Sequence, residues 1–192
     1  MAILNIRQLG DPMLAKPCKP VREITPRIEQ LIDDMLETMY ENSGVGLAAP
    51  QVGVLKRIVV IDTTPDPTEE QAQKAEELLA KGDEDAAADV LPEPQLYVMI
   101  NPEIIEKSEE TQRGIEGCLS YDGMSGIVTR PKRVKVRYTD EDGNEQELEG
   151  EGLLARCICH EVDHLDGKMY VDLAEGEVLP TEELIKLLEE KK

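Results

Sequence analysis

Gly152-Leu-Leu-Ala-Arg-Cys-Ile-Cys-His-Glu-Val-Asp-His-Leu165, closed by Asp166-Gly167, is the stretch on which the reading of this chain turns. Leu153, Leu154, Cys157 and Ile158 fall at helical spacing and Gly167 supplies a stop, which predicts a helix over 152–165. The chain's only two histidines, His160 and His164, stand four residues apart on it. Such residues lie one above the other on one helix face, so both imidazoles can reach a single metal ion. Glu161 sits beside that face, within reach of a water held there. A structural histidine pair is the plainer alternative. The apolar turns before His160 argue instead for a metal-binding helix buried in the domain.

A catalytic metal needs a third protein ligand and one open position. Downstream, Glu175, Glu177, Glu182 and Glu183 offer carboxylates, but within a hydrophilic tail typical of a solvated surface. Upstream, Glu116-Gly117-Cys118-Leu119-Ser120 offers a thiol among mostly short side chains, and a cysteine beside a divalent ion becomes a strong thiolate ligand. The chemistry ranks Cys118 ahead of the carboxylates without eliminating them.

Outward from this core, Ile28, Leu31, Ile32, Met35, Leu36 and Met39 make a helical stripe over 26–41, with Thr25 placed to cap it and Pro26 suited to its first turn. A glycine-rich loop, residues 42–51, leads to a strand at 57–62. Residues 64–95 change character, with acids far outnumbering the lysines at 74 and 81. Thr68 and Gln71 form a capping box there, Glu77 and Lys81 an i,i+4 pair, and Gly82 a stop. This reads as an acidic, partly helical insertion in a single domain spanning 1–192. Strands are expected at 96–100, 104–105 and 133–138, with a hairpin turn at Asp142-Gly143 and a polar return strand through 149. A C-terminal helix is expected over 181–191. The fold class is α+β: mixed or antiparallel sheets and hairpins around a central metal-binding helix.

At 192 residues and 40% hydrophobic the chain can bury a core, but it has no Phe and no Trp, so Leu, Ile, Val, Met and Ala must fill it. Few aromatics leave no base-stacking platform, and a net charge of −20 opposes binding to phosphate backbones or anionic lipid. DNA and membranes are therefore not expected partners, and no basic-then-apolar leader is visible, so a cytoplasmic protein is expected. The cysteines, Cys18, Cys118, Cys157 and Cys159, read as reduced thiols in that compartment.

Three segments together resemble the signature motifs of peptide deformylases: Gly44-Val-Gly-Leu-Ala-Ala-Pro-Gln51, Glu116-Gly-Cys-Leu-Ser120 and His160-Glu-Val-Asp-His164. Their order also matches, and the likeness runs from the Asp11-Pro12 region to Asp172. The resemblance implies a metal-dependent hydrolase acting in N-terminal processing during protein biosynthesis. Its substrates would be N-formyl-methionyl nascent polypeptides, and it would release formate. Cys118, His160 and His164 would hold one divalent ion, Fe2+ by resemblance, with Zn2+, Ni2+ or Co2+ able to occupy a preparation. Glu161 would be general base and then acid. The Gln51 amide and the Leu119 N–H would form the oxyanion hole. Val45, Gly46 and Gly117 would pair with substrate backbone, and Leu153 and Cys157 would line the methionine pocket. Ribosome association is left open.

The chain departs from the family pattern at Tyr121-Asp122-Gly123-Met124, where a proline often follows the second motif, and at Cys159, where a glutamine is common. Two rival readings are a metallopeptidase with a downstream carboxylate ligand and a non-catalytic binding protein with a structural metal site.

Overall fold

The structure is a computed structural model and describes residues 2–190; the end of the expected 181–191 helix, Lys191, lies outside them. Contacts divide the chain into two units, one of residues 1–61 with 98–192, the other Asp62–Tyr97.

The first unit begins with α1 (Pro26–Glu41), whose stripe is buried at Ile32, Met35 and Met39. Thr25 precedes it, but its hydroxyl caps nothing. The Ile28 N–H that such a cap would receive is taken at 2.7 Å by the Thr25 carbonyl, in a tight first turn. A five-stranded sheet runs in the order β1 (Gly46–Ala48), β2 (Ile58–Asp62), β3 (Leu96–Lys107), β6 (Arg133–Thr139), β7 (Glu145–Glu151). In β2, residues Ile58 to Ile61 are fully buried on both faces. Ile58 and Val60 join Met35, Met39, Leu47 and Ile100 in one apolar cluster, where each such side chain contributes about 1.5–3 kcal/mol by leaving water.

The two strand pieces expected at 96–100 and 104–105 are one strand, β3, with an irregularity between Ile100 and Glu103. Asn101 sits there at φ +54°, its amide clamping both the N–H and the carbonyl of Val21 at 2.8 Å. A second sheet, in the order β4 (Thr111–Cys118), β5 (Tyr121–Pro131), β8 (Leu179–Pro180), is absent from the sequence reading. Residues of α4 (Leu153–Leu165) contact β1, β5, β6 and β7, so the helix touches strands of both sheets. A short α5 (Thr181–Glu189) follows, holding on through buried Leu184.

The second unit carries α2 (Glu69–Ala80) and α3 (Glu84–Val90). Thr68 and Gln71 form the expected reciprocal cap, at 3.0 and 3.2 Å, and Gly82 takes φ +78° past the helix end. Glu77 and Lys81, the latter being the C-cap of α2, make no ion pair. Ala75 and Ala87 are its buried apolar residues, and Thr63 and Gln95 bond to each other at its neck.

Candidate metal centre

Three donors converge where β4 meets α4. The β4–β5 pairing runs regularly through Glu116↔Gly126 and Gly117↔Ser125, then slips so that Cys118 faces Tyr121. That slip ends β4 with the thiol at 3.2 Å from His164 Nε2. One donor atom each from Cys118, His160 and His164 lie within 4.8 Å of one another. Ligand bonds of 2.0–2.3 Å in a tetrahedron put donors roughly 3.4–3.7 Å apart, so small side-chain adjustments close this set around one ion. No carboxylate joins the group among the described residues. Glu175 is engaged by Arg113 at 2.8 Å and Thr129 at 2.6 Å, and Glu182 and Glu183 are exposed on α5.

Two of the three buried side-chain polar atoms without a partner among the described residues, His164 Nδ1 and Glu161 Oε2, belong to this cluster. A thiol, two imidazoles and unsatisfied buried polar atoms fit a bound divalent cation, the donor set suiting borderline-soft metals.

His160 Nδ1 lies 3.0 Å from Glu116 Oε2, which leaves Nε2 to face Cys118. Glu116 is in turn clamped by Arg130 at 2.9 and 3.0 Å and by Arg156 at 2.7 Å. Arg130 also pairs with Asp163, and Arg156 donates to the carbonyls of Val128 and Gln112. Burial alone would raise the Glu116 carboxyl, but bonds from His160 and Arg130 outweigh it and bring the group to about 2. Glu116 therefore stays charged and orients the ring. Tyr170, 1% exposed, stacks on the same ring at 6.0 Å and 23°. Burial, reinforced by the charge of His160, holds His164 well below the ordinary imidazole range, which favours the neutral ring that metal binding would need.

Glu161 is 4% exposed, and burial pushes its carboxyl up to about 7 despite the opposing pull of His160. Its carboxylate lies against Gly46: a Cβ added there would meet Glu161 Oε1 at 2.5 Å. Gly44 is equally constrained, its missing Cβ replaced by Leu119 Cδ1 at 2.7 Å. The first glycine-rich motif thus packs on the other two through the absence of side chains.

Gln51, 1% exposed in the 3-10 turn after β1, accepts from the Ala48 N–H and donates to Cys118 Sγ at 3.4 Å and Ser120 Oγ at 3.1 Å. The Arg7 N–H binds the Gln51 carbonyl and the Leu9 N–H that of Ser120, both at 2.7 Å.

A cavity of about 310 Å³ opens over these groups. Val45, Gly46, Gln51, Gly117, Leu119, Leu153, Cys157, His160 and Glu161 all line it, so the residues read from the sequence come together. Burial pushes the Cys157 thiol up to about 12, making it an inert wall. Cys159, 4% exposed, faces Arg130 and Asp163 and lines a different cleft.

Sequence reasoning gave no role to Glu116, Arg130, Arg156 or Tyr170, nor to the cavity residues Ile115, Met124, Ser125 and Thr181. The available signal was Glu116 itself: a metal-binding histidine needs a partner on its second nitrogen, and this acid stands two residues before the cysteine.

Known proteins share this architecture. The sequence profile of the polypeptide deformylase family matches residues 3–178. The peptide deformylase of Agathobacter rectalis is 55% identical over 92% of this chain and 92% of its own length. That of Lachnoclostridium phytofermentans is 50% identical over 93% of each. The crystal structure of peptide deformylase from Thermotoga maritima superposes with a TM-score of 0.73 at 35% identity, covering 92% of this chain and all of that one. A peptide deformylase from Synechococcus elongatus in complex with actinonin gives 0.73 at 39%, covering 98% and 85%. With the three motifs gathered at one cavity and these relatives spanning nearly its whole length, the chain belongs to the polypeptide deformylase family.

Proposed function

We propose that Cys118, His160 and His164 hold one divalent metal ion and that Glu161 moves the protons as the protein hydrolyses the N-formyl amide of nascent polypeptides. The activity is that of a peptide deformylase: formyl amide and water become formate and a free α-amino group. The observation that carries the assignment of residues is the convergence of three ligand atoms within 4.8 Å beside a buried carboxylate in one cavity. When bound, such an ion supplies Lewis-acid polarisation and acidifies water.

Glu161 accepts the proton of the attacking water and delivers it to the leaving amine nitrogen. The raised affinity of its buried carboxyl for a proton suits it to both steps. Gln51 Nε2, held beside the Cys118 sulfur, and the Leu119 N–H donate to the formyl oxygen as charge builds there. One such donor is worth about 3 kcal/mol. β1 and β4 are edge strands of their sheets, and Gly46 and Gly117 line the cavity. That supports substrate binding as an added strand against Val45, Gly46 and Gly117. Leu153 and Cys157 receive the methionine side chain, and Ile115 lines the same cavity.

Fe2+ as native metal rests on family resemblance; the donors equally suit Zn2+, Ni2+ or Co2+. No helix among the described residues is long and apolar enough to cross a membrane. Formylated chains arise on ribosomes, so we place the protein in the cytoplasm with at most transient ribosome contact. The acidic first turn of α5 is a poor footprint for RNA. We read residues 64–95 as an insertion in a single deformylase domain.

Comparing kcat/KM for formyl-Met, acetyl-Met and unblocked peptides of one sequence tests the reading. Acetyl adds a methyl that must displace the carbonyl, and about 1 Å of misplacement costs a hundredfold, so the formyl peptide should dominate. Comparable acetyl hydrolysis, or internal cleavage of the unblocked peptide, would favour a peptidase. Glu161→Gln should keep its metal and lose about a hundredfold or more in kcat. Cys118→Ala should lose the metal.

A further inference from the structure

Three consecutive residues at the start of β5 are each tied to the chain that follows α4. Tyr170 Oη donates to the Met124 carbonyl at 2.9 Å. Thr181 Oγ1 donates to the Gly123 carbonyl at 3.1 Å. The Ser125 and Thr181 hydroxyls are 2.8 Å apart. Each hydroxyl has one proton, so the consistent arrangement is a relay in which Ser125 donates to Thr181 and Thr181 to Gly123. Gly123, Met124, Ser125 and Thr181 all line the substrate cavity.

β4 holds this lip at Ser125, paired with Gly117, and at Tyr121, paired with Cys118, while Gly123 and Met124 between them have no β4 partner in that register. A Cβ on Gly123, at φ +69°, would meet nothing within 4 Å, so packing does not fix it. β8 contributes two residue pairs, Met124↔Pro180 and Ser125↔Leu179, and Pro180 has no N–H to give. The lip also reaches the reacting centre. Ser125 is 3% exposed and opposite Gly117, whose absent Cβ would come within 3.2 Å of Ser125 Oγ. Gly117 precedes the ligand Cys118 at the β4 edge.

We propose that Thr181 is a positioning residue for substrate. Its hydroxyl fixes the Gly123–Ser125 lip and, through Ser125, the Gly117 edge, so the start of α5 sets how firmly the first substrate residue is gripped. The inference rests on the deformylase reading. Thr181 touches no reacting atom, so its hydroxyl governs binding in ground and transition states alike, which appears in KM and spares kcat.

The test uses the metal-loaded full chain and formyl-Met and formyl-Ala peptides. Thr181→Val keeps the shape and removes the hydroxyl; Thr181→Ser keeps the hydroxyl. The valine variant should raise KM for formyl-Met about three- to tenfold, the weight of one hydrogen bond, with kcat within about twofold and metal content unchanged. Its preference for formyl-Met over formyl-Ala should shrink, and the serine variant should behave as wild type. Ser125→Ala breaks the relay from its other end, so the double variant should be no worse than the worse single one. An unchanged KM in the valine variant, multiplicative effects in the double, or a loss confined to kcat or melting temperature would overturn the proposal. A wild-type protein inert toward formyl-Met would instead remove the deformylase reading beneath it.

Discussion

His160 and Glu116 meet at 3.0 Å, Nδ1 to Oε2, so an imidazole on α4 that is proposed to bind metal takes its orientation from a carboxylate on β4 that two arginines hold in place. The consequence is that Glu116 serves metal affinity and stability together. Glu116→Gln should weaken metal binding about 10–100-fold, because the ring loses the anion that orients it. It should also destabilise the fold by about 3–5 kcal/mol, since Arg156 loses its carboxylate and Arg130 keeps only Asp163. Competitive metal titration and urea denaturation read the two effects separately. Unchanged affinity would mean that stacking on Tyr170 alone orients His160.

Gly46→Ala isolates the contact between the first motif and Glu161. The new methyl would stand 2.5 Å from Glu161 Oε1, so the carboxylate must shift from the position proposed for proton transfer. A fall of about tenfold to a hundredfold in kcat is expected, with metal content retained. Full turnover in a folded, loaded variant would show that Glu161 works from another position.

Cys18 gives a pH-dependent signature away from the site. Burial pushes its thiol from 9.0 up to about 11. Between those values the folded chain keeps a proton that the unfolded chain releases, so stability from this group falls as pH rises from about 9 to 11. Wild type should therefore lose melting temperature more steeply than Cys18→Ala over that window, by on the order of 2–4 °C. Parallel slopes would show that the thiol ionises as readily folded as unfolded.

Removing residues 68–93 and rejoining with a short Gly-containing turn should leave kcat/KM within about twofold. The bonds between Thr63, Thr64 and Gln95 close the neck of this unit and remain in the shortened chain. None of the proposed ligands lies in the segment. A collapse of kcat in a folded, metal-loaded deletion would mean that the insertion shapes the site.

What could be read from the sequence follows from the range of the interaction. His160, Glu161 and His164 are related by helical period alone, so their grouping was legible. Cys118 lies 46 residues from His164, and its place depends on the β4–β5 hairpin, which pattern reading missed. The reason is physical: β4 buries a charged side chain, Glu116, where an alternating strand would show an apolar one. Arginines on β5 and α4 neutralise that charge, and neither pairing is local. The motif resemblance supplied what periodicity could not. Asn101 split β3 in the reading for a similar reason, because its clamp on Val21 spans 80 residues. Thr25 shows the opposite limit, a suitable cap residue displaced by its own carbonyl.

Tyr170 gives the protein an optical property. The chain has no Trp, so its near-ultraviolet absorption and fluorescence come from five tyrosines. One of them, Tyr170, is buried against the His160 imidazole, with its hydroxyl bound to the Met124 carbonyl. Charge placed on His160 polarises that ring directly, and Tyr121, paired opposite Cys118, is a second tyrosine at the same cavity. Metal loading should then register as a tyrosine difference spectrum in the unmodified protein, and Tyr170→Phe should diminish it. The proposed metal centre carries its own chromophore.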